Sequence, residues 1–174
     1  MRKALLVSLL AAALLASLAC GGGGGAKERS PSPAGSRPLE LRLDVPAEVK
    51  GGEDLPFRLT VTNAGDEPLE LGLGGRADSG YPGSFNFLID TAGGREVTCA
   101  LCANRVADAS LSYRTLQPGE ELELGWDWDQ TDNDLLPVPA GEYSVYATFS
   151  ALDMARNEEK IEMQTESREF AIER

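Results

Sequence analysis

From Leu39 onward the chain alternates apolar and polar residues with a period of two. Such alternation puts every second side chain on one face of an extended strand, burying that face and wetting the other. Residues 39–45 (LELRLDV), 55–63 (LPFRLTVTN) and 68–74 (PLELGLG) follow this rule, the second with Phe57, Leu59 and Val61 together. In 84–90 (SFNFLID), Phe85, Phe87 and Ile89 share a side, and Gly93-Gly94 is a turn into 95–99 (REVTC). The pattern resumes at 111–116 (LSYRTL), then at 120–128 (EELELGWDW), 141–151 (GEYSVYATFSA) and 168–173 (REFAIE). Residues 153–166 suit either a helical turn or a charged hairpin, and the hairpin is expected.

Seven to nine short strands with turn residues between them predict an all-β fold, an Ig-like or fibronectin-like antiparallel β-sandwich. Two details sharpen the picture. A Pro/Gly turn, LPVPAG, directly precedes Tyr143, which suits a tyrosine that bridges a corner of a sandwich. Trp126 and Trp128 fall on the core side of their strand, so packing explains them better than a sugar-stacking platform.

Before Leu39 the pattern is different. Arg2 and Lys3 precede an apolar run over 4–18, and small residues lead to Ala19-Cys20. The run is about 15 residues against the roughly 20 needed to span a bilayer, so 1–19 reads as an export signal. Ser17-Leu18-Ala19-Cys20 resembles the lipobox of bacterial lipoproteins. That resemblance implies cleavage before Cys20 and acylation of its sulfur, with a cell-envelope location on the exported side of a membrane. Gly21 is not the acidic residue associated with inner-membrane retention, which favours the outer membrane where two exist. Residues 20–38 are rich in Gly, Ser and Pro and read as a flexible tether, leaving 39–174 as one domain.

Charge and composition narrow the chemistry. The chain has 28 Asp plus Glu against 16 Lys plus Arg and a net charge of −12, which disfavours nucleic acid and anionic lipid as partners. It contains no histidine, so Ser-His-Asp and Cys-His catalysis and imidazole metal ligation are ruled out. No catalytic residues, metal ligands or cofactor site are assigned.

Two features invite a site reading. Cys99 and Cys102 are expected to be oxidised outside the cytoplasm, and they are the candidate disulfide. Three residues apart on an extended strand they would lie about 10 Å from each other, so they can bond only if 99–102 turns. Asp127, Asp129, Asp132 and Asp134 invite a calcium reading, but Asp132 and Val138 stand where an EF-hand needs glycine and glutamate. A solvated hairpin tip is expected there.

The strings LPFRLTVTNAGDEPLELGLGG, FNFLIDTAGGREV, LQPGEELELGWDW and LPVPAGEYSVYATFSAL, in that order, resemble the BsuPI-type domain, named after an intracellular proteinase inhibitor. The resemblance covers roughly residues 53–151 and departs from the family at TCALCANR and at GRADSGYPGS (75–84). It implies a β-sandwich and raises protease inhibition. No inhibitory residue carries over, and 74–84, 103–110 and 129–137 are the loops that could meet a partner. The expected function is therefore a membrane-anchored, non-catalytic protein-binding module, with proteinase inhibition its sharpest form. A structural or assembly role in the envelope is the alternative.

Overall fold

The computed structural model describes residues 39–76, 80–102 and 110–174. The expectations for the 1–19 signal, Cys20, the 20–38 tether and residues 77–79 and 103–109 lie outside these residues. The described chain is built from strands. They are β1 (Leu39–Asp44), β2 (Glu48–Lys50), β3 (Leu55–Asn63), β4 (Leu69–Gly74), β5 (Phe85–Thr91), β6 (Glu96–Cys99), β7 (Leu111–Leu116), β8 (Glu121–Trp128), β9 (Gly141–Asp153), β10 (Glu159–Gln164) and β11 (Arg168–Glu173).

Two sheets share them. The smaller runs β1-β3-β8, and the larger runs β2-β11-β9-β4-β7 with β10 and the β5–β6 pair attached through β9. The fold is the expected all-β, Ig-like sandwich, with eleven strands among the described residues rather than seven to nine. The pairings are antiparallel except for β2, which lies parallel to β11. Residues 153–166 do form a hairpin: β9 runs on to Asp153, a single 3₁₀ turn covers Met154–Arg156, and β10 returns along β9. The buried Asp153 carboxylate caps that turn, accepting from Ala155 N at 3.1 Å and Arg156 N at 3.3 Å.

The predicted inward faces meet between the sheets. Leu55, Phe57, Leu59 and Val61 of β3 are fully buried, as are Phe87 and Ile89 of β5 and Val145 and Ala147 of β9. Phe57 is the hub: its ring lies 5.7 Å from Phe87, 5.9 Å from Trp126, 6.2 Å from Trp128 and 5.7 Å from Phe170. These rings come from both sheets, so the aromatic cluster fixes the sheets' separation and register together. Truncating such a buried ring costs about 3–5 kcal/mol.

One register relationship positions everything that follows. Leu39 pairs with Asn63 at one end of β3, while Leu55 at the other end pairs with Trp128 of β8. Eight residues of strand separate those ends, about 26 Å at ~3.3 Å per residue. Buried Asn63 closes the first end, donating through its side-chain amide to Glu67 O and Leu116 O, both at 2.9 Å.

Candidate functional site

At the other end β8 leaves the core at Trp128, and the chain must travel back to Gly141 to start β9. Trp128 is fully buried, and its indole N–H, which cannot stay unpaired there, donates to Thr131 O at 2.8 Å. The loop is thereby tied to its own base. Asp129 adds a second tie, its carboxylate accepting from Thr131 N at 3.3 Å and Thr131 Oγ1 at 2.7 Å.

Gln130 provides the strongest hold. It is buried, with φ of 58°, a conformation that costs a non-glycine residue about 1–2 kcal/mol. Its side chain repays that by reaching the β2–β3 turn: Nε2 donates to Lys50 O at 2.7 Å and Glu53 O at 2.5 Å, while Oε1 accepts from Gly52 N at 2.9 Å. Val138 N returns to Gln130 O at 2.9 Å, and Thr131 bridges Pro137, so the two legs run side by side.

Above the bridge, the backbone of Asp132 closes the apex, its N–H donating to Leu136 O at 2.9 Å and its carbonyl accepting from Leu135 N at 3.0 Å. The Asp132 carboxylate fills the same turn, accepting from Asp134 N at 2.9 Å and Leu136 N at 3.0 Å. Leu135 is thereby held at φ 61°. On the returning leg, the Tyr143 hydroxyl donates to Pro139 O at 2.6 Å, the corner bridge expected from LPVPAGEY. Burial raises the Tyr143 pKa above its ordinary value, and the Arg95 guanidinium offsets part of that rise.

The result is a braced loop carrying two apolar side chains at its tip. Leu135 is 68 % exposed and Leu136 59 % exposed. Single exposed leucines are ordinary on protein surfaces. Here two adjacent ones stand at the tip of one braced loop, and the first holds a left-handed backbone conformation there.

Three aspartates of the acidic run have separate partners. Asp127 pairs with Arg58 at 2.8 Å, and Asp129 and Asp132 spend an oxygen on the loop's own donors. Trp126 and Trp128 are buried rather than displayed, as their phase in β8 predicts.

The remaining candidates lie elsewhere. Cys99 and Cys102 are bonded, with Cα atoms 5.0 Å apart, because 99–102 turns: Cys102 N donates to Cys99 O at 3.0 Å. The turn is held against β5 by Leu101 N donating to Asn86 Oδ1 at 3.0 Å. Beside it a groove of about 460 Å³ runs over the outer face of β5, β9 and β10, walled by Asn86, Leu101, Thr148, Ser150 and Gln164. The described part of 74–84 sits at this same end, where Gly75 N donates to Ser110 O at 2.8 Å. Loop 129–137 is at the far end of β5, beside Glu96, whose carboxylate accepts from Asn133 Nδ2 at 3.4 Å. The described part of 74–84 and the loop 129–137 therefore lie at opposite ends of β5, and 103–109 lie outside the described residues.

No family model and no curated protein matches the chain. Among solved structures, the chain is similar to an alkylpurine DNA glycosylase from Pseudomonas fluorescens, at 14% identity and TM-score 0.42, over 78% of this chain and 30% of that one. A β-glucosidase from Listeria innocua matches at 16% identity and TM-score 0.40, over 78% of this chain and 16% of the enzyme. A CARDB domain from Pyrococcus furiosus matches at 16% identity and TM-score 0.36, over 77% and 91% of the two chains. The chain thus spans under a third of the first two proteins.

Proposed function

We propose that this chain is a lipid-anchored envelope protein whose BsuPI-like sandwich binds a protein partner without catalysing a reaction. The observation that carries the reading is the loop between β8 and β9, which holds Leu135 and Leu136 in solvent by bonds from Asp132, Gln130, Trp128 and Tyr143. A loop ordered before it binds loses little conformational freedom on association, so its apolar tip converts more of its buried area into affinity.

Proteinase inhibition is the sharpest form of this reading, supported by the family resemblance at LQPGEELELGWDW and LPVPAGEYSVYATFSAL. The loop would act as a plug, not as a mimic of substrate. Proteases that hold a substrate as an added strand require extended backbone, and Leu135 at φ 61° interrupts any such run. Export and acylation at Cys20 rest on the 1–20 sequence and are part of the proposal.

The test is a protease panel with the purified domain and with Leu135→Asn/Leu136→Asn. Inhibition at micromolar concentration that the double variant loses supports the inhibitor form. Inhibition that survives the substitutions moves the site elsewhere. No inhibition together with a stable envelope partner favours the structural or assembly role. Mass spectrometry of the native N-terminus tests the anchor.

A further inference from the structure

We infer that the partner surface for this loop is an apolar pocket bordered by Lys or Arg. The inference rests on the binding reading above and adds the chemistry of what is bound. The tip offers two kinds of surface. Leu135 and Leu136 supply adjacent apolar side chains, 68 % and 59 % exposed. Around them the loop carries Asp129, Asp132 and Asp134, with Glu96 of β6 brought alongside by Asn133. The cleft beside the tip, about 290 Å³, is walled by Glu96, Asp132 and Asp134 against one cation, Arg95, with Pro137, Pro139 and Tyr143 behind.

Three occupants compete for such a tip. A second copy of this chain would bring its own net charge of −12 against these carboxylates, a repulsive encounter. A lipid surface would take the leucines, but Asp132 and Asp134, within three residues of Leu135, would have to be dragged against headgroups and desolvated. A protein pocket with a basic rim satisfies both halves at once. Its apolar floor takes the leucines, and its cations face the carboxylates, which speeds encounter and excludes acidic surfaces.

The experiment places a photo-crosslinking benzophenone amino acid at position 136 of the full-length chain, in the cell that produces it, with Tyr113, exposed on β7, as the reference position. Adducts are mapped to the partner residue by mass spectrometry. An adduct from position 136 on an apolar site flanked by Lys or Arg supports the inference. Its yield is then expected to fall about tenfold in Asp134→Asn/Glu96→Gln. The charge-matched Asp66→Asn/Glu67→Gln, at the far end of β3, should leave it unchanged. An adduct from 136 on an acidic or uncharged surface, indifferent to both pairs of substitutions, overturns the basic rim and leaves the loop reading standing. Absence of an adduct from 136 overturns both. Sedimentation of the unmodified domain with phosphatidylcholine vesicles, lost in Leu135→Asn/Leu136→Asn, would assign the tip to lipid and overturn the inference.

Discussion

The amide nitrogen of Gln130 lies 2.7 Å from the carbonyl oxygen of Lys50, a residue eighty positions earlier in the chain. That bond is not part of any sheet ladder. It joins the base of the β8–β9 loop to the β2–β3 turn, and with Glu53 O and Gly52 N it makes Gln130 the place where one loop holds another.

Gln130→Ala should therefore cost about 2–3 kcal/mol, because buried partners lose their bonds as well as the side chain itself. Urea denaturation measures the cost. Hydrogen exchange should rise at Gly52, whose N–H donates to the lost Gln130 Oε1, while the β3 amides stay protected. A loss below about 0.5 kcal/mol would mean the loop is held by its other bonds.

Leu135→Asn should act in the opposite sense. Asparagine tolerates the left-handed conformation better than leucine, and the leucine contributes almost no buried surface at 68 % exposure. A gain of roughly 0.5–1 kcal/mol is expected, accompanied by weaker partner binding. A residue that weakens the fold yet strengthens an interaction is what a contact site requires; a neutral or destabilising result removes that argument.

Tyr143 sets the alkaline limit of the corner. Its pKa is raised mainly by burial, so the unfolded chain ionises at lower pH than the folded one. The folded state binds the proton more tightly, and stability is unaffected below the ordinary value of 10.0 and falls as pH rises through and above it. Tyr143→Phe should flatten that decline while costing about 1–2 kcal/mol near neutrality for the lost bond to Pro139. Thermal melts of both proteins between neutral and strongly alkaline pH separate the two effects.

Breaking the Cys99–Cys102 bond should matter little for global stability. The closed loop is so short that the chain-entropy gain is only about 2 kcal/mol. Cys99→Ser/Cys102→Ser should melt a few degrees lower and keep the same β spectrum. A collapse of the fold would mean that the 99–102 turn organises β5 and β6.

The sandwich was legible because alternation is a local signal with a large energetic consequence. β3 and β7 fall on the residues that their pattern marks, and the phase of β8 placed Trp126 and Trp128 in the core. β2 escaped notice because Glu48–Lys50 has one apolar residue and exists through its parallel pairing with Ala171, Ile172 and Glu173. A three-residue strand with a distant partner has no period to read. β10 was ambiguous for a related reason, since Ile161 is its single fully buried apolar residue.

The site was less legible than the fold. Sequence marked 129–137 as a loop but attached equal weight to 74–84 and 103–110. Its shape depends on positive φ at Gln130 and Leu135, and neither residue type advertises that conformation as glycine would. The aspartates mark a solvated tip in the sequence; that Asp129 and Asp132 accept there from the loop's own backbone and hydroxyl donors is visible only in the structure. The local signal for the turn is Asp132 itself, two residues before one N–H it accepts from and four before the other.

The register of β1 and β8 on β3 has a geometrical outcome. Leu39, where the chain enters the sandwich, is beside Asn63, and the leucine tip grows from beside Leu55. Entry and tip are opposite poles of the same strand. Probes placed at Leu39 and at Leu135 would therefore report on the two ends of β3 independently.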